Sequence, residues 1–323
     1  MRITDRMLSD SFLNDMYVNL NNMKKIQEQR TSGKAFRRPS DDPFAVSRSM
    51  QIYGQIYANK QYNSNIKDTI NWLDTTDTAL NQATKALDRV RELMVSVGDA
   101  AYGSEEHRAI KDEINEKISE LSQIMNTSFD GKYIFGGTRG DKKPTEAEVD
   151  ANGNTELKLT NKDDIELKQI DEKLKVEISQ GVIIEYNVSA TEIFNFKHKY
   201  TDGAGDEKVE ALDLKKLFED ITKHLDSKDD LGIVINEDLA KMDSAISNFL
   251  TVRSKVGTLQ NRMESAQDLN KEQNMNLTEI LSHNEDVDVV EKSIEYATML
   301  TVYMSALQTS AQILQPSLID YLR

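Results

Sequence analysis

Residues 43–98 read PFAVSRSMQIYGQIYANKQYNSNIKDTINWLDTTDTALNQATKALDRVRELMVSVG. Apolar side chains recur there at Tyr53, Ile56, Ile66, Ile70, Leu73, Leu80, Ala83, Leu87, Val90, Met94 and Val97. Steps of three and four, or their sums, are the stripe of an amphipathic helix. Asp42 can cap this helix, and Pro43 can take its first position, where a missing N–H costs nothing. Gly98 and Gly103 end it. At 1.5 Å per residue the helix spans about 80 Å, a length suited to a rod and not to a globule. So narrow a stripe needs a partner helix, from the same chain or from another copy.

The flanking segments read alike. Upstream, a helix over about Asp5–Ser32 carries Leu13, Met16, Leu20 and Met23. Gly33 follows, suited to the left-handed position past a helix end, with Lys34 and Arg37 near the negative end of the dipole. Downstream, a helix starts at Ser104 with Glu105 and Glu106 in its first turn. It carries Ile110, Ile114, Ile118, Leu121 and Ile124 and ends near Asn126. The short connection predicts that it runs antiparallel to its predecessor.

Beyond Asp130-Gly131 the pattern changes. Tyr133-Ile134-Phe135 is followed by Gly136-Gly137 and Gly140, which read as turns. Leu157–Leu159, Ile165–Leu167, Leu174–Ile178 and Val182–Val188 alternate with period two, as short antiparallel strands do. A helix is expected over Val209–Leu225. Helical periodicity returns at Leu239, Met242, Ile246, Phe249, Val252, Val256, Leu259 and Met263, and weakens over Lys271–Asn276. Ser282 with Glu285 can form a capping box that opens a last helix. Its stripe is Val287, Val290, Ile294, Ala297, Leu300, Met304, Leu307, Ala311, Leu314 and Leu318.

The expected fold is therefore mainly α with a β-rich insertion, a long antiparallel coiled-coil rod bearing a small outer β domain. Its expected parts are an N-terminal assembly helix and loop (1–43), a helical rod (44–130 with 231–281), the insertion (131–230) and a C-terminal assembly helix (282–323). The candidate self-assembly residues are Leu13, Met16, Leu20 and Met23 at one end. At the other they are Ile294, Leu300, Met304, Leu307, Ala311 and Leu314. Trp72 reads either as core-edge packing or as a neighbour-facing contact.

Composition narrows the function. The 323 residues are 38% hydrophobic and 7% aromatic, with four prolines, one tryptophan and no cysteine. That is lean for a large enzyme and normal for helices that bury a seam. The formal net charge is −15. Residues 141–238 hold twenty-five acidic against fourteen basic side chains, an excess that repels phosphate backbones and makes nucleic acid a poor partner. No disulfide or thiolate chemistry is open to the chain. MRITDRMLSDSF is not the start of a cleaved secretory signal, and no apolar run approaches the ~18 residues that span a bilayer.

Catalytic patterns are missing. His107, His198, His224 and His283 are scattered and read as surface residues. Gly136–Gly140 lacks the Lys-Ser/Thr ending of a phosphate loop. Glu285, Asp286 and Asp288 lack the glycine and distal glutamate of a calcium loop and read as helix-start acids. Arg38-Pro39-Ser40-Asp41-Asp42-Pro43 forms an inter-helix loop whose charges, with Arg37, cap helices or pair between subunits. No enzyme activity, cofactor or metal is expected.

Several motifs together carry a family resemblance. They are Met1-Arg2-Ile3-Thr4, Gln29-Arg30-Thr31-Ser32-Gly33-Lys34, the Arg38–Pro43 loop, Asn65-Ile66, Trp72-Leu73 with Thr75, Asp77 and Leu80, and Asn126-Thr127 with Gly131–Gly137. Val256-Gly257, Asn261-Arg262, Glu285–Asp288 and Ser317–Leu322 complete the set. Over about residues 1–140 and 235–323 the chain resembles the flagellin superfamily, and within it the hook–filament junction branch. Ala35-Phe36-Arg37-Arg38 departs from the order the family often shows in this loop.

The resemblance implies a structural part of the bacterial flagellum, exported unfolded by the type III route and lying outside the cell. It would form a layer between the hook, through the first junction protein, and the flagellin filament. The implied partners are other copies of the chain, that first junction protein, flagellin and an export chaperone. The terminal helices would assemble the layer and be weakly ordered alone. A flagellin filament subunit is the nearest alternative. A coiled-coil secretion or adhesion adaptor fits the helices but not the combined motifs.

Overall fold

The computed structural model describes residues 5–98, 103–150, 153–160, 164–201, 207–227 and 231–313. Three helices open the chain: α1 (Asp5–Ser32), α2 (Pro43–Ser96) and α3 (Ser104–Met125). Their ends reflect local chemistry. Gly33 adopts φ +70° and its N–H bonds the Gln29 carbonyl, closing α1. The Asp42 carboxylate accepts the Ala45 N–H at 2.9 Å, so the expected cap on Pro43 is in place. Glu106 accepts the Gly103 N–H at the start of α3.

The next segment holds four separate antiparallel pairs: β1 (Ser128–Phe129) with β2 (Lys132–Tyr133), and β3 (Thr145–Val149) with β4 (Thr155–Leu159). β5 (Lys175–Ser179) pairs with β6 (Val182–Glu185), and β7 (Asn195–Thr201) with β8 (Glu207–Asp213). Asp130 and Gly131 both take positive φ, the backbone that a two-residue hairpin turn demands. Between the strands lie α4 (Asp164–Asp171), α5 (Ala190–Phe194) and α6 (Leu214–Asp226).

Two expectations fail here. Ile165–Leu167 lies in α4, because three alternating residues fit either period and Ile170, one turn on, supplies the buried anchor of a helix. The helix expected over Val209–Leu225 begins only at Leu214, where Asp213 accepts the Lys215 N–H; Val209 lies in β8.

The chain then turns helical again through α7 (Leu231–Ile233), a π-helical turn (Val234–Asp238) and α8 (Leu239–Glu285), with α9 (Val289–Ile313) after it. α8 is unbroken across 271–276, where the stripe weakens. Nor does Ser282 open the last helix. Its hydroxyl donates to Asp286 near the end of α8, and Asp288 caps α9 by accepting the Val290 and Glu291 N–H groups. The architecture is thus mainly α with a β-rich insertion.

The chain divides into two compact units, residues 1–60 with 272–323, and residues 61–271. The division falls inside α2 and α8, so the first unit takes more of both helices than the assembly segments 1–43 and 282–323 expected from sequence. In the second unit one continuous core joins Leu73, Leu80, Leu87 and Met94 of α2, Ile114 and Ile118 of α3, and Met242, Phe249 and Val256 of α8. Phe135, Phe194 and Phe218 extend it into the insertion. Gly137 belongs there because a Cβ would sit 2.3 Å from the Gln169 and Ile170 carbonyl oxygens. Trp72 packs edge-on against Phe129 and Tyr186, so it is a core residue.

Two histidines also turn inward. His198 is buried, stacked on Tyr200 and bonded to Ser244 at 2.9 Å. His224 bonds Asp238, a fully buried carboxylate in the π turn, at 2.6 Å. Periodicity over apolar positions gives no warning of either placement.

Candidate assembly interface

In the first unit, α1 and α9 lie against each other. The half-buried face of α1 comprises Phe12, Met16, Asn19, Met23, Ile26 and Arg30, in alternating steps of four and three. On α9 the covered face runs Tyr296, Met299, Tyr303, Ala306 and Ser310 with the same alternation. That spacing is the seam of a two-helix coiled coil. The Arg30 guanidinium sits 4.6 Å from the centre of the Tyr296 ring, joining the end of α1 to the start of α9 as antiparallel packing requires.

The candidate residues sort onto two faces. Met16 and Met23 belong to the α1 seam, and Leu300 is half-buried beside that of α9. Leu13, Leu20, Ile294, Met304, Leu307 and Ala311 remain exposed, Ile294 by 64% and Met304 by 59%. Leu314 lies outside the described residues. Tyr17 and Val18 on α1 and Val290 and Val302 on α9 add to the exposed apolar surface. Apolar residues are thus spread around both helices instead of along one stripe, and pairing within the chain covers only part of them.

The loop after α1 is ordered by its own carboxylates. Asp41 accepts the N–H groups of Arg37 (3.1 Å) and Arg38 (2.9 Å), and those backbone bonds hold its carboxyl below the usual range. With Asp42 capping α2, both acids of Arg38-Pro39-Ser40-Asp41-Asp42-Pro43 serve the backbone. The guanidinium groups of Arg37 and Arg38 have no carboxylate within ion-pair distance among the described residues.

A clasp joins this loop to the α8–α9 break. The Ala35 N–H donates to the Glu285 carbonyl at 2.6 Å and the Val287 N–H to the Gly33 carbonyl at 3.0 Å. Lys34 spans the carboxylates of Asp286 (2.7 Å) and Glu285 (3.1 Å), and Tyr53 donates to Glu285 at 3.1 Å. The Asn284 side chain donates to the Ala45 carbonyl and the Ser49 hydroxyl, both at 2.9 Å. The hydrogen bond to Asp286 raises the Lys34 ammonium, and the bond from Lys34 lowers the Asp286 carboxyl. The expectation that Glu285 and Asp286 start a helix is corrected: they end α8 and hold the α1–α2 loop. Gly33-Lys34 and Glu285–Asp288 stand out as motifs, but 250 residues of separation hide their pairing.

No group of three or more metal-ligating side chains occurs among the described residues, and no described helix is long and apolar enough to cross a membrane.

The comparisons with known proteins bear on both ends of the chain. The family profile "Bacterial flagellin N-terminal helical region" matches residues 3–139, and "Bacterial flagellin C-terminal helical region" matches 239–322. A flagellin from Clostridium tyrobutyricum is 31% identical over 49% of this chain, a match that spans only 43% of that flagellin. Flagellar hook-associated protein 3 of Escherichia coli is 22% identical over 89% of each chain. Among solved structures, a flagellar hook-associated protein 3 from Legionella pneumophila superposes with a TM-score of 0.58 at 13% identity, over 74% of this chain and 98% of that one, which speaks to fold alone. With terminal helices of this pattern at both ends and the family profiles on either side of the insertion, the chain belongs to the flagellin superfamily.

Proposed function

We propose that the chain is a structural subunit of the bacterial flagellum, placed at the junction between hook and filament. The observation that carries this reading is the apolar surface left on α1 and α9 after they have paired. Similarity to hook-associated protein 3 along 89% of the chain supports the junction reading. Leu13, Leu20, Ile294, Met304 and Leu307 then bury against neighbouring copies, and that burial offsets the entropy of ordering the terminal helices. A chaperone covers the same surfaces before assembly. The neighbours are the first junction protein on one side and flagellin on the other. Membrane and nucleic acid are not partners.

The test is Ile294→Asp with Leu307→Asp in cells that depend on this chain for swimming. Both positions are exposed, so the purified variant keeps the unfolding midpoint of the parent while cells lose filaments and release flagellin into the medium. Normal filaments on such cells overturn the proposal. Labelled protein found along the whole filament, and not at its base, favours the filament-subunit reading, for which the 31% identity to a flagellin speaks.

A further inference from the structure

The second unit carries a cleft of about 990 Å³ that the proposed assembly helices do not explain. Its walls include Trp72, Phe129 and Tyr186, and its lining includes the carboxylates of Asp68, Asp130 and Asp141. None of the three acids has an ion-pair partner among the described residues, and Lys132 is the lining cation among them. Trp72 is 7% exposed, and its indole N–H is buried without an acceptor. Aromatic faces beside unpaired carboxylates are the chemistry that receives a guanidinium, which stacks on rings and donates to carboxylates at once. An ammonium fits less well, being a strongly hydrated point charge.

The chain itself supplies such a group. Arg37 and Arg38 are adjacent and exposed, with no carboxylate within ion-pair distance among the described residues, on a loop whose backbone Asp41 pins through both of their N–H groups. A loop held in one conformation loses little freedom on docking. We infer that the Arg37–Arg38 loop of one copy docks in the Trp72 cleft of another. The guanidinium groups lie against the aromatic wall and pair with Asp68 and Asp141. This rests on the reading that copies of the chain assemble, but the contact itself can be measured without any flagellum.

Trp72 is the only tryptophan in the chain, so its fluorescence reports on the cleft alone. The probe is a synthetic peptide of residues 33–43, titrated into the full-length protein at low ionic strength. The expected result is a saturable change in emission that shrinks as salt screens the charges. It weakens about five- to tenfold for Asp68→Asn with Asp141→Asn, two exposed and nearly isosteric changes. It disappears when Arg37 and Arg38 of the peptide are replaced by glutamine. No emission change with the parent peptide overturns the inference. So does binding that the carboxamide variant leaves intact, because the peptide is then seated elsewhere. Failure of filament assembly in cells leaves this titration unaffected, so the two proposals fall separately.

Discussion

The two units solve the burial of helices differently. In residues 61–271 the seam of α2 meets α3, α8 and the insertion, and side chains such as Leu73, Leu80, Met94 and Phe249 are fully sealed. In the other unit no described side chain of α1 is buried, and on α9 only Ser310 is. Seventeen of the twenty-six large apolar side chains left exposed among the described residues fall in this smaller unit. The second unit has the makings of an independently folded body. The first joins the α1–α9 pair to the outer ends of α2 and α8, seals only the small cluster of Ile52, Ile56 and Leu281, and leaves much apolar surface open.

Core truncation gives the largest test of this contrast. Phe249→Ala empties a sealed site and is expected to cost about 3–5 kcal/mol in unfolding free energy, measured by denaturant titration. Ile294→Ala, exposed on α9, is expected to stay within about 0.5 kcal/mol in the free chain. Equal losses at the two sites erase the distinction.

Hydrogen exchange sharpens it. In the free protein the amides of α1 and α9 are expected to exchange through openings far cheaper than global unfolding, while those of α2 beyond Gln61 and α8 before Lys271 wait for the global event. Assembly is expected to slow α1 and α9 selectively. Slow exchange of α1 in the free chain shows that its partner within the chain suffices.

The clasp yields the smallest effect. Lys34→Met removes its ion pairs with Asp286 and Glu285; Lys34 and Asp286 are more than a third exposed and Glu285 still accepts from Tyr53, so the change is expected to be about 1 kcal/mol at most. Its pH dependence comes from the two shifts. Asp286 is depressed in the folded chain, so its share is present above the ordinary carboxylate pKa and fades as pH falls through the depressed value. Lys34 is raised, so its share is full below the ordinary lysine pKa and fades as pH climbs through the raised one. Limited proteolysis near Gly33 across pH is expected to show protection between these limits and none of that dependence in the variant.

Much of the architecture is legible from residues alone. The end of α1 and the start of α2 are set by Gly33, Asp42 and Pro43, whose chemistry acts within one helical turn. The insertion is legible only as β-rich, since a three-residue alternation such as Ile165–Leu167 carries too little phase to separate strand from helix. The terminal stripes are visible, but not which face meets the other end of the chain. Met16 and Met23 face α9 while Leu13 and Leu20 do not, and apolar spacing alone cannot rank faces on a helix that is greasy on several sides. The clasp is hidden for another reason: hydrogen bonds between backbone groups at Ala35 and Glu285 leave no mark in side-chain pattern.

The π turn at Val234–Asp238 has a consequence for the phase of the long helix behind it. Such a turn holds one residue more than an α-helix of the same rise, which swings the residues on its two sides about a quarter-turn out of phase with each other. Met242, Phe249 and Val256, spaced by sevens, take their rotational setting from the core they pack in, and the turn offsets α7 from that setting by this fixed angle.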